Sequence, residues 1–128
     1  MPATVIDASA VAAVLFDEPE AEPILASISG ALIAPGLIRY ELASVCTTKC
    51  LRHPARAEEM EARYHLLDEL ALGLYEPDWE YLPGLARRWA LSAYDAAYLQ
   101  LALSRQDPLV TLDARLAHAY DNTVREAT

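Results

Sequence analysis

Four carboxylates stand where chemistry could use them: Asp7, Glu41, Asp95 and Asp113. Asp7 closes the β-branched run Thr4-Val5-Ile6 and passes at once into an alanine-rich helical pattern, so it lies at the junction of a buried strand and a helix. Asp113 repeats the device late in the chain, closing the apolar stretch from Pro108 to Leu112 ahead of a helix expected from Ala114 to about Tyr120. In an open α/β sheet the groups that meet substrate lie just past the carboxyl ends of the strands. Glu41 is unusual for another reason. It shares one helix face with Ile38 and Val45, at i, i+3 and i+7, and a carboxylate beside the buried side must be paired, hydrogen-bonded or metal-bound. Asp95 opens the most apolar helix of the chain, Ser92 to Leu103, which only Asp95 and Gln100 interrupt.

Each acid also has a plain structural role open to it. An Asp ahead of a helix caps the free N–H groups of the first turn, which is worth about 1 kcal/mol, and Ser92-x-x-Asp95 has the form of a capping box. Taken singly, the four are caps or buried pairs as readily as a site. Two at strand ends and two at the edges of buried helix faces make a joint case that no single one makes.

The elements that must hold them alternate. Ala31-Leu32-Ile33-Ala34 reads as a second buried strand, closed by Pro35-Gly36, and an amphipathic helix follows from Leu37 to Arg52. Before it, Pro19 and its flanking acids mark the start of a helix whose stripe is Ile24, Leu25 and Ile28. A further helix is expected from Ala55 to Leu72, stopped by Gly73, with an i,i+4 pair between Glu59 and Arg63 on its solvated face. The two helices form an αα-hairpin, a natural surface for a partner chain. Leu74-Tyr75-Glu76 is a weak third strand, and the helix beginning near Pro77-Asp78 places Trp79 and Trp89 in the core. The tail from Thr123 to Thr128 carries a weak pattern, a last edge strand or a frayed end. Apolar strands without polar alternation, each followed by a helix, specify a parallel sheet covered on both faces. If the first and last strands are neighbours, Asp7 and Asp113 converge.

At 128 residues the chain suits one domain, 1–128, able to bury about two thirds of its unfolded surface. No apolar run approaches the roughly 20 residues of a membrane span. The opening Met-Pro-Ala-Thr has no signal-like pattern, so the expected location is cytoplasmic. Cys46, Cys50 and His53 have a spacing that suggests three zinc ligands, but a fourth is lacking and the helix is continuous; two ordinary thiols of a reducing compartment are the reading. The net charge of −9 argues against binding nucleic acid through a broad basic surface. It leaves open binding through divalent cations, which supply the positive charge a phosphate requires. His53, His65 and His118 all fall on helices and suggest no general base, and Arg39, Arg87, Arg88 and Arg115 suit phosphates or solvent equally. No glycine-rich phosphate loop is present.

Four stretches together resemble a known family: Asp7-Ala8-Ser9, Arg39-Tyr40-Glu41-Leu42, Ser92-Ala93-Tyr94-Asp95-Ala96 with Tyr98-Leu99-x-Leu101-Ala102, and Thr111-Leu112-Asp113. In order, spacing and total length the chain is similar to the PIN-domain ribonucleases, and among them to the VapC-like toxins of toxin–antitoxin pairs. The poorly marked ending is the one departure. The resemblance implies a three-layer α/β/α sandwich with a short, mainly parallel central sheet. It also implies a Mg²⁺- or Mn²⁺-dependent endoribonuclease that acts as a homodimer and is restrained by a small antitoxin. Asp7, Glu41, Asp95 and Asp113 then become the catalytic, metal-holding acids, with Ser9 and Thr111 as supporting groups. Carboxylates suit such a cation, since Mg²⁺ takes oxygen ligands and keeps several waters. Two rivals have other consequences. A PIN fold without turnover would be an RNA- or protein-binding module. A receiver-like regulatory domain would need a lysine late in the chain, whereas the one lysine is Lys49.

Overall fold

The computed structural model describes residues 2–127. From β1 (Ala3–Ile6) the chain runs through α1 (Ala8–Leu15) and α2 (Ala21–Ser27) to β2 (Ala31–Ala34). The hairpin of α3 (Ile38–Arg52) and α4 (Ala57–His65) leads to β3 (Gly73–Leu74). Then α5 (Leu82–Trp89) and α6 (Ala93–Arg105) lead to β4 (Leu109–Val110), which feeds α7 (Ala114–Ala127). The strand order is β3-β2-β1-β4 and every pairing is parallel, Ala3 lying against Ala31 and Val5 against Leu109. Helices flank this sheet as the three-layer expectation requires.

All four residues of β1 are buried, because a strand covered on both faces needs no polar alternation. Its neighbours on either side run parallel to it, so the strands that end at Asp7 and lead to Asp113 issue from one edge. The Asp7 N–H still belongs to the ladder, donating to the Val110 carbonyl at 3.2 Å. In α3, Ile38 and Leu42 are fully buried. Burying each is worth about 1.5–3 kcal/mol, which fixes the rotation of the helix and places Glu41 at the margin of its buried face. The small side chains Ala10, Ala12 and Ala13 let α1 pack closely, and Ala96 to Ala102 of α6 are buried without a break, as its apolar sequence requires.

Several elements differ from expectation. Pro19 lies in the turn before α2, which begins only at Ala21. The helix expected from Ala55 to Leu72 is shorter: a 3₁₀ turn at Pro54–Arg56 precedes α4, and a second at Leu66–Leu70 follows it. A 3₁₀ turn aligns i and i+3, which lets Leu67 and Leu70 both pack on the core. The turn ends at Ala71, in left-handed backbone at φ 51°, and Gly73 is already in β3. What Gly73 supplies is room, since a Cβ there would lie 3.0 Å from the Tyr75 ring and 3.3 Å from Ile33. Glu59 pairs with Arg56, not with Arg63. Trp89 packs against the core, but Trp79 is 71 % exposed on a 3₁₀ turn, its indole N–H donating to Glu76. The tail is neither strand nor frayed up to Ala127, and Thr128 lies outside the described residues. No Gly or Pro stops α7, Leu116 and Ala119 anchor it, and the Thr123 hydroxyl bonds back to the Ala119 carbonyl.

Candidate active site

All four acids occupy the N-terminal ends of helices. Asp7 is the N-cap of α1, Glu41 is in the first turn of α3, Asp95 is in the first turn of α6, and Asp113 directly precedes α7. Positive helix ends favour negative charge, so the fold offsets part of the cost of collecting these carboxylates.

Asp7 is 4 % exposed and the most firmly held of the four. Its Oδ1 accepts from the Ala10 N–H at 3.1 Å and from the Ser9 hydroxyl at 2.7 Å, and its Oδ2 accepts from the Thr111 hydroxyl at 2.5 Å. The capping role is therefore real, and it fixes the carboxylate where it stands. Ser9 and Thr111 tie the ends of β1 and β4 together: Ser9 Oγ also accepts from the Leu112 N–H and Thr111 Oγ1 from the Asp113 N–H, at 3.0 and 2.9 Å. Asp113 caps α7 through Oδ1, which accepts from the Leu116 N–H at 3.0 Å. At α6 the cap is Ser92, whose Oγ accepts from the Asp95 N–H at 3.0 Å. The Ser92 hydroxyl also interacts with the Asp95 carboxylate, which lowers the pKa of that acid.

Burial is the main reason the pKa values of Asp7, Glu41 and Asp95 all lie above the usual carboxylate range. For Asp7 the bonds from Thr111, Ser9 and Ala10 oppose this, while the charge of Asp113 adds to it. Glu41 is pushed further by Asp95 and Asp7, and Asp95 by Asp113 and Asp7. The four acids thus form one electrostatic group, with Asp7 and Asp95 coupled to the charges on either side. Asp7, Glu41, Asp95 and Asp113 take part in no ion pair among the described residues. The charge of Arg115 lowers the pKa of Asp95.

Tyr98 is a contributor that sequence reasoning passed over as part of an apolar helix face. It is 1 % exposed, and its hydroxyl donates to Glu41 Oε1 at 2.6 Å from α6 across to α3. Burial and the adjacent Glu41 charge hold its own pKa far above the ordinary tyrosine value. The available signal was an unexplained acid in one helix and a polar-tipped side chain in the other. A bond to a charged acceptor contributes about 1.5–3 kcal/mol, so Tyr98→Phe should lower the urea midpoint by a comparable free energy while the exposed Tyr94→Phe leaves it unchanged.

The thiols turn elsewhere. Cys46 and Cys50 donate to the Met60 and Ala57 carbonyls of the hairpin at 3.6 and 3.7 Å, and burial with Cys50 alongside raises the Cys46 thiol to about 11. His53 ends α3, and His118 packs edge-on against Trp89, so neither joins the acids. Among the described residues no three His, Cys, Asp or Glu side chains form a ready-built ligand shell. The donor set nevertheless suits a hard cation: carboxylates near enough to raise one another's pKa, with no cationic side chain paired to them among the described residues, match an ion that retains water in part of its shell.

No helix among the described residues is long and apolar enough to cross a membrane. The sequence matches the PIN domain over residues 4–122. It is 34 % identical over 119 residues to VapC ribonuclease Mb0985 of Mycobacterium bovis and to ribonuclease VapC9 of Mycobacterium tuberculosis, covering 88 % of this chain and 87 % of each relative. The crystal structure of PAE2754 from Pyrobaculum aerophilum has a similar fold, with a TM-score of 0.74 at 20 % identity over 98 % of this chain and 97 % of that one. So has M. tuberculosis VapC20, a sarcin-ricin loop cleaving toxin, with a TM-score of 0.62 at 14 % identity over 91 % of this chain and 94 % of that one. Motif, fold and relatives agree, and the chain belongs to the PIN domain family.

Proposed function

We propose that this protein is a Mg²⁺- or Mn²⁺-dependent endoribonuclease and serves in the cytoplasm as the toxin of a toxin–antitoxin pair. The observation that carries the reading is the group of four acids at helix N-terminal ends that raise one another's pKa, without paired cations among the described residues, in a chain related to named VapC ribonucleases. Asp7, Glu41, Asp95 and Asp113 are the residues to hold the cation, directly or through water. When bound, the ion supplies charge neutralisation and Lewis acidity toward the phosphodiester. The protein's own groups provide orientation. Three hydrogen bonds prevent the Asp7 carboxylate from rotating, Tyr98 orients Glu41, and Ser9 and Thr111 keep the ends of β1 and β4 in register. Helix N-termini around the site also offer a favourable potential to a phosphate.

The same reading includes a homodimer and a small antitoxin. The antitoxin is assigned to the α3–α4 hairpin, where a groove of about 240 Å³ lies between Thr47, Leu51 and Tyr64 and Leu51 is exposed. The decisive experiment is incubation of the purified protein with mixed RNA. Cleavage is expected with Mg²⁺ or Mn²⁺ and none with EDTA. Cleavage that persists in EDTA removes the metal site, and RNA binding without cleavage in either cation makes the protein a binding module.

A further inference from the structure

Beside the acids lies a groove of about 620 Å³ lined by Leu37, Tyr40, Glu41, Ser44 and Tyr94. Two of these are aromatic side chains in solvent: Tyr40 is 81 % exposed and Tyr94 66 %. Each precedes a site acid, Tyr40 next to Glu41 in the first turn of α3 and Tyr94 next to Asp95 in the first turn of α6. We propose that this groove is a nucleobase subsite, in which Tyr40 and Tyr94 stack on unpaired bases of the RNA strand whose phosphate faces the acids.

The proposal rests on the nuclease reading and adds how substrate is held. Glu41 belongs both to the acidic group and to the groove wall, so whatever reaches the acids along this side passes the two rings. A single-stranded polynucleotide is the polymer that presents a flat apolar face within one nucleotide of a phosphate; a duplex keeps its base faces stacked on each other. Tyrosine suits the task because every base has a π-face, and Ser44 adds a hydroxyl able to meet a base edge or a 2′-OH. The lining contains no Lys or Arg. Affinity in this groove therefore cannot come from phosphate charge pairing, and stacking is the chemistry its walls offer. That sets an electrostatic signature: the contribution of the two rings is independent of salt, whereas phosphate contacts weaken steeply with it.

The test uses a fluorescein-labelled single-stranded RNA of mixed sequence, about 12 nucleotides long to span such a site. Binding is followed by anisotropy with Ca²⁺ in place of Mg²⁺, and a gel after each reading checks that the probe is intact. Tyr40→Ala and Tyr94→Ala should each raise Kd about tenfold, the fold-change expected for one stacked base, with unchanged melting temperature because both rings are exposed. Tyr40→Phe and Tyr94→Phe should bind as the parent does. The fold-change should be equal at about 50 and about 200 mM salt. An RNA carrying 5-iodouridine, irradiated on the parent, should crosslink to Tyr40 or Tyr94. Alanine variants that bind like the parent, phenylalanine variants as weak as alanine ones, or crosslinks only at other residues overturn the subsite while leaving the nuclease reading intact. A parent that neither binds nor cuts RNA overturns both. Loss of partner-protein binding by the alanine variants with RNA affinity unchanged also overturns the subsite and gives the groove to that partner.

Discussion

Asparagine in place of Asp7 or Asp95 should lower RNA cleavage at least about a hundredfold, while the circular-dichroism spectrum stays that of the parent. Loss of a group that merely orients a metal ligand commonly costs about 10–100-fold, and loss of a ligand itself should cost no less. The fold tolerates both changes for different reasons. In Asp7→Asn the side chain retains an oxygen for the Ala10 N–H and the Ser9 hydroxyl, and its amide can donate to Thr111 Oγ1 once that hydroxyl turns away. Asp95→Asn disturbs no cap, because Ser92 performs that task. Direct titration of Mn²⁺ separates a metal ligand from a residue needed for some other reason. Both variants should bind Mn²⁺ more weakly than the parent in the absence of RNA. Variants that cut RNA at the parental rate refute the assignment.

Without divalent cations the folded protein should be more stable in mild acid than near neutrality, and Mg²⁺ should reverse the difference. Burial raises the folded-state pKa of Asp7, Glu41 and Asp95 above the ordinary carboxylate range. A group raised in this way favours the folded state at pH below its unfolded pKa. That contribution is lost as pH rises from about 4 through the folded pKa, because the native state must then carry a charge its surroundings oppose. A cation that binds only the folded chain stabilises it by about 2.7 kcal/mol at a hundred times its Kd, which for a domain of this size raises Tm by roughly 10 °C. Asp95→Asn is the informative variant. It removes a charge that Asp113 and Asp7 oppose and gives up few compensating bonds, whereas Asp7 is held by three. In EDTA at neutral pH the Asp95→Asn protein should therefore melt above the parent, and with saturating Mg²⁺ it should gain less. Equal Mg²⁺ shifts in parent and variant would mean that Asp95 does not bind the ion.

Sequence revealed the parts of this arrangement that depend on neighbours in the chain. Asp7 and Asp113 were legible because a strand, an acid and a helix succeed one another within a few residues, and Glu41 because helical periodicity put it where a solvated acid does not belong. The alternation of strands and helices likewise specified the parallel sheet. What escaped depends on side-chain reach across the fold. Tyr98 meets Glu41 from 57 positions away, and in sequence its ring is indistinguishable from the apolar residues around it. The exposed rings of Tyr40 and Tyr94 were hidden in the same way, since spacing does not tell which face of a helix's first turn lies open. The second half of the hairpin is more broken than its periodicity suggests: one periodic stretch forms an α-helix with a 3₁₀ turn at each end, because placing Leu67 and Leu70 on the core outweighs continuing the helix. The tail is poorly legible because its pattern is diluted by Asp121, Asn122 and Thr123, although Leu116 and Ala119 suffice to dock it.

The bond from Thr111 to Asp7 joins residues 104 positions apart, and this has a consequence during synthesis. During synthesis β1 and its aspartate are made about a hundred residues before Thr111, Asp113 and the strand that brings them alongside. Until that segment has cleared the exit tunnel and docked, Asp7 lacks one of its three hydrogen bonds and one of the three partner acids. Nascent chains, and fragments that terminate before β4, lack Thr111 and Asp113 and so cannot assemble the four-acid group, however well their first two helices fold.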